Sequence, residues 1–111
     1  MADFVELTLE QGATFSSTIT VRDNQGVAQN LSGYTARSQM RRSYYSSSKK
    51  DFTVNITSAA SGLITMQMSA SNTANITPGR YVYDVEIEDT VSGDVTRIFE
   101  GIVTVLPNVT R

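Results

Sequence analysis

The 111-residue sequence has no cysteine, no histidine and no tryptophan, and only two prolines. Without cysteine there can be no disulfide, no thiol nucleophile and no sulfur-ligated zinc site. Without histidine the commonest general base and the commonest nitrogen metal ligand are both missing. Charge of one sign is scarce as well. Nine Lys and Arg stand against eleven Asp and Glu, giving a net charge of −2 and a pI near 4.9. That balance argues against an electrostatic grip on nucleic acid or on an anionic membrane. No apolar run is long enough for a membrane-spanning helix. The opening Met-Ala-Asp-Phe-Val-Glu-Leu-Thr-Leu-Glu lacks the basic-then-apolar order of a secretory signal, which predicts synthesis in a cytoplasm.

Serine and threonine, by contrast, are plentiful, at 27 residues. Hydrophobic residues make up 40% and charged residues 18%, a globular composition with material for one core. Most threonines lie in alternating runs, as expected for a pleated, half-exposed surface. Val5, Leu7 and Leu9 alternate with Glu6, Thr8 and Glu10; Phe15, Ile19 and Val21 alternate with Ser16, Thr18, Thr20 and Arg22. Tyr34, Ala36 and Met40 form a third inward set, Phe52, Val54 and Ile56 a fourth, and Ile64, Met66 and Met68 a fifth. The clearest strand places Tyr81, Tyr83, Val85 and Ile87 inward, and a last run covers Val95 to Val105, with Gly101 marking a bulge or a close approach. Ser69 to Ile76 does not alternate; Ser69 can cap a short helical turn with Ala70, Ala74 and Ile76 toward the core. About seven short strands joined by Gly, Asn and Asp turns predict an all-β fold. The expected form is an antiparallel immunoglobulin-like β-sandwich in a single domain, residues 1–111, with one helical turn near 69–76. A small barrel is the alternative.

Four stretches carry a resemblance to a known group. They are Leu9-Glu10-Gln11-Gly12-Ala13-Thr14-Phe15, Asn30-Leu31-Ser32-Gly33-Tyr34-Thr35-Ala36, Gly79-Arg80-Tyr81-Val82-Tyr83-Asp84-Val85-Glu86, and Glu100-Gly101-Ile102-Val103-Thr104-Val105 with Pro107, Val109, Thr110 and Arg111. In this order and spacing the chain resembles small structural proteins of tailed phages, of the type found in T4-like cyanophages. It is similar to the N-terminal domain of phage upper baseplate proteins. The resemblance implies a β-sandwich module of a virion, present in multiple copies and contacting other phage structural proteins. It supplies no catalytic residues and no cofactor. Tail or baseplate is the first location it suggests; a capsid decoration protein is the second. A carbohydrate-binding adhesin is a rival of another class, weakened by the absence of tryptophan for stacking sugars.

Candidate sites follow from residue clustering. Arg37, Arg41, Arg42, Lys49 and Lys50 put five of the nine cations within fourteen positions, with Tyr44 and Tyr45 among them. Such a loop can be a solvated hairpin tip, a protein-docking loop or a single-strand nucleic-acid contact. Arg41, Arg42, Tyr44 and Tyr45 are the expected docking residues, because Arg and Tyr dominate protein interfaces. Gly79 and Tyr81 fit a tyrosine corner, a buried tyrosine whose hydroxyl bonds nearby backbone; Tyr83 is the other candidate. Asp84, Glu86 and Glu88 share an outward face, with Asp89 and Asp94 beyond. Cross-strand pairing with Arg37, Arg41 or Arg97 is the expectation there, ahead of an intersubunit contact, a calcium site or acid–base chemistry. Four Asn-x-Ser/Thr triplets, at Asn30, Asn55, Asn75 and Asn108, are read as strand and turn chemistry. Met1 to Phe4 and Pro107 to Arg111 are expected to be flexible ends first, and second to act as arms on a neighbour's sheet edge.

Overall fold

Period-two alternation becomes eight strands and one short helix in the computed structural model, which describes residues 3–23 and 25–109. In chain order these are β1 (Asp3–Phe4), β2 (Leu7–Glu10), β3 (Phe15–Thr20), β4 (Tyr34–Arg41), β5 (Lys50–Ser58), β6 (Leu63–Met68), α1 (Ala70–Ala74), β7 (Gly79–Asp89) and β8 (Val95–Leu106). The strands form one curled sheet in the order β1-β8-β7-β4-β5-β6-β3, and β2 also lies on β8. The all-β expectation is met.

The pairing differs from that expectation in two ways. β1 and β2 run parallel to β8, so the sheet is mixed rather than antiparallel. β5 belongs to both halves of the sheet. Its first residues, Lys50 to Phe52, pair with β4, and the rest, from Thr53, pair with β6. A single sheet therefore turns through β5 to face itself, in place of two separate layers. Alternation decides which face a side chain takes, but the partner strand and its direction are long-range choices that alternation does not encode.

The inward faces meet in one core that includes Leu9, Met40, Ile64, Met66, Val85, Ile87, Val103 and Val105. Tyr81, Tyr83 and Phe99 are buried with them, as is Phe52, whose ring meets Tyr83 edge-on at 6.4 Å. Ser38 is buried in β4, and its hydroxyl donates to the Asp84 carbonyl at 2.5 Å. That bond removes the cost of burying an unpaired hydroxyl.

Ser69 caps α1, its hydroxyl accepting from the Asn72 amide at 3.3 Å. The helix meets the core through Thr73 rather than through Ala74, which is exposed. The Thr73 hydroxyl reaches both the Ala13 and Ala70 carbonyls, at 2.8 and 3.0 Å, and so ties the helix to the segment between β2 and β3. A hydroxyl that can bond across elements is better satisfied there than a methyl group is buried.

Gly101 is a point of close approach. A Cβ at this position would collide with the Val5 carbonyl, which lies between β1 and β2. The Tyr83 hydroxyl donates to that same carbonyl at 2.7 Å, and the Val5 amide donates to Glu100 at 2.9 Å. Asp3 and Phe4 are paired within the chain's own sheet, which corrects the expectation of a flexible N-terminal end and the alternative of an arm. Met1, Ala2, Thr110 and Arg111 lie outside the described residues.

Candidate protein-docking site

The loop 42–49 leaves the end of β4 and returns into β5, beside the start of β7. Its four singled-out residues divide into two kinds. Tyr44 and Tyr45 are 70% and 98% exposed. The two arginines point back into the protein. Arg41 ends β4 opposite Val82, and its guanidinium donates to the Ser46 carbonyl at 2.7 Å and to the Gln39 side chain at 3.2 Å. That grip fixes the loop to its own strand, aided by the Ser46 amide bonding to the Ser43 carbonyl at 3.2 Å.

Arg42 lies on the other side of the loop. Its guanidinium stands 4.8 Å from the centre of the Tyr81 ring, a cation–π geometry, and Nη1 donates to the Arg80 carbonyl at 3.4 Å. Gly79 makes this possible. Its φ of 141° lies in the region that favours glycine, and a Cβ there would run into the Arg42 guanidinium. Beneath, the Tyr81 hydroxyl donates to the Thr77 carbonyl at 2.6 Å, four residues upstream. Gly79, Tyr81 and Arg42 thus form one stack joining the loop to the first residues of β7. The link from Arg42 to Gly79 was not legible in the sequence, because 37 positions separate the two residues.

The basic cluster is dispersed by folding. Arg37 sits in β4 and binds Glu86 at 3.0 Å and Glu88 at 2.9 Å. Lys49 pairs with Asp51 at 3.0 Å, and Lys50 lies exposed at the start of β5. Arg37, Arg41, Arg42 and Lys49 are therefore committed to partners in their own chain.

The outward carboxylates follow the cross-strand expectation in part. Arg37 takes Glu86 and Glu88; Arg97 takes Asp84 at 3.3 Å and Glu100 at 3.7 Å; Arg41 is instead drawn to its loop. The hydrogen bonds that Arg37 donates to Glu88 and Glu86 raise its pKa further. Burial raises the Asp84 carboxyl, with Glu86 and Glu100 adding to the effect and Arg97 and Arg41 opposing it. A groove of about 280 Å³ beside these groups is bounded by Gln39, Arg41, Tyr44, Asp84, Arg97 and Glu100. Asp89 caps the β7–β8 turn, accepting from the Val91 and Ser92 amides at 2.9 and 3.3 Å. Among the described residues no group of three or more His, Cys, Asp or Glu side chains is placed to hold a metal ion.

The residue that sequence reasoning underused is Tyr83. Its hydroxyl holds the N-terminal strand, and burial pushes its pKa up to about 12. The available signals were an inward Tyr83 and a glycine at 101 within a strand run; their pairing across the β7–β8 ladder came only with the fold.

No protein family matches the sequence, and no curated protein matches it. Among solved structures, the chain is similar to the N-terminal domain of phage TP901-1 ORF48, with a TM-score of 0.54 and 15% identity. That match covers 94% of this chain and 97% of the other. It shows a shared fold over nearly the full length of both. A family 123 glycoside hydrolase from Clostridium perfringens also aligns, with a TM-score of 0.44 and 12% identity, over 24% of its chain.

Proposed function

We propose that this chain is a non-enzymatic structural component of a tailed-phage virion, docking in repeated copies onto the tail or baseplate. The observation that carries the reading is the end-to-end fold likeness to a phage N-terminal domain. The independent resemblance of the sequence to upper baseplate N-terminal domains points the same way. We read residues 1–111 as one domain and the curled sheet as a variant of immunoglobulin-like packing in which β5 serves both faces. Its partners are other virion proteins, rather than nucleic acid or membrane, and its place is the assembled particle.

Docking runs through the loop 42–49. Tyr44 and Tyr45 supply the exposed aromatic surface, while Arg41 and Arg42 hold the loop in shape from behind. A rigid loop bearing two aromatic tips loses little entropy on contact. Repetition by symmetry then lets modest contacts add over many copies. Gly79 and Tyr81 serve as the structural corner on which Arg42 rests.

The test is incorporation into particles. Phage assembled with the Tyr44→Ala/Tyr45→Ala chain should carry about thirtyfold less of it, as loss of hot-spot contacts worth about 2 kcal/mol implies. Its melting temperature should match the parent. Adding Arg41→Ala and Arg42→Ala should lower both incorporation and thermal stability. Full incorporation of the double tyrosine variant removes the loop from the interface. Immunogold label on the tail supports the baseplate reading; label over the head replaces it with capsid decoration.

A further inference from the structure

The sheet ends on two unlike edges. At one end β8 is covered by β1 and β2. This edge is interrupted at Val5–Glu6 and carries Asp3, Glu6 and Glu10. At the other end β3 pairs with β6 and, among the described residues, with no strand on its outer side. β3 reads Phe15-Ser16-Ser17-Thr18-Ile19-Thr20: six residues without a charge or a proline, in unbroken register with β6. Proteins ordinarily blunt such an edge with charge, proline or a bulge, because its free amides and carbonyls template another strand.

A second observation concerns the core beneath. On β6 the inward Ile64, Met66 and Met68 are buried, whereas on β3 the inward Phe15, Ser17 and Ile19 remain half-exposed. Phe15 packs on Phe52 at 5.7 Å yet keeps part of its surface open. The apolar interior is thus unsealed along one strand.

We propose that β3 is a self-pairing edge, laid antiparallel against β3 of a second copy across a twofold axis. A twofold contact requires a surface complementary to itself. β3 meets that condition: centred on Thr18, it brings Thr18 opposite the partner's Thr18 and Ser16 opposite the partner's Thr20. Hydroxyl faces hydroxyl, with no like charges. The same operation at the β1–β2 edge would bring two sets of Asp3, Glu6 and Glu10 together along the seam, which is repulsive. Pairing extends the sheet through the axis and covers Phe15 and Ile19. A six-residue strand pair is small beside the roughly 1,200 Å² or more of a stable interface, so the dimer is weak in solution and gains strength from repetition in an assembly. This edge lies apart from the loop 42–49, and its test is independent of the virion reading.

Sedimentation of the purified full chain over about 10 μM to 1 mM reads the contact at the strength expected for so small an interface. The wild type should show a reversible monomer–dimer equilibrium. Thr18→Lys and Thr18→Glu each place like charges across the axis and should weaken it roughly tenfold. Their equimolar mixture should restore a dimer, now mixed. Thr18 is exposed, so circular dichroism should show both variants folded. Thr8→Lys, on the opposite edge, should leave the equilibrium unchanged. A wild type that stays monomeric throughout overturns the proposal and leaves the edge to a strand of another protein. A dimer indifferent to both Thr18 variants, or a mixture that fails to recover, overturns it equally.

Discussion

The outward face of β4, β7 and β8 and the outward face of β3, β5 and β6 solve one problem by different chemistry. On the first, Arg37 bridges Glu86 and Glu88, and Arg97 joins Asp84 to Glu100. On the second, from Phe52 to Met68 and along β3, there is no charged residue. Its surface is instead a row of hydroxyls across three strands, with Thr18 3.3 Å from Thr65 and Thr65 3.4 Å from Thr57. Charges of alternating sign favour one strand register and penalise slips. Hydroxyls solvate a face without setting up a field, so they leave it neutral toward an approaching copy. The charged half also carries the covered edge, and the hydroxyl half the open one.

The largest way to break this contrast is Gly101→Val. A side chain there collides with the Val5 carbonyl, which is backbone and cannot swing aside. It should cost about 1–3 kcal/mol in urea unfolding. It should also speed amide exchange at Val5, because the β1–β2 cover is lifted and β8 becomes a second open edge. Unchanged exchange at Val5 would mean the cover is held elsewhere.

Salt sharpens the comparison at smaller scale. Arg37→Ala should be slightly destabilising at low ionic strength, as expected for exposed pairs, and the loss should fade in molar salt. Thr65→Val on the other face should stay within about 0.5 kcal/mol of the parent. That difference should be the same at both salt concentrations.

The smallest effect is on pH dependence. Burial holds the Asp84 carboxyl above its ordinary pKa, so the folded state favours its protonated form. Its contribution to stability is present below the unfolded value and is lost as pH rises through the folded value. Asp84→Asn should therefore gain on the wild type as pH rises through that window and hold a steady difference above it. A wild type that instead gains on the variant over the same range would reverse the sign assigned to Asp84.

Much of the fold was legible in the residues. Alternation assigned Leu9, Met40, Ile64 and Val85 to the interior, and Ser69 announced the helix start. The candidate site was legible only as composition. Arg41, Arg42, Tyr44 and Tyr45 could be picked out, but not that Arg41 bonds Ser46 or that Arg42 stacks on Tyr81. Local sequence does not say where a long, flexible cation finds its acceptor. That depends on which carbonyls and rings folding brings within a few ångströms.

By itself, then, the sequence determined which residues face inward, where the turns fall, and which chemistries lack the side chains they need. All three are local properties, set by period-two geometry and by residue type. Only the tertiary structure decided that β1 and β2 lie parallel on β8, that β5 is shared between the two halves, and that Arg42 closes over Tyr81 against Gly79. Each joins segments far apart in the chain, and its free energy exists only once the whole sheet has curled around its core.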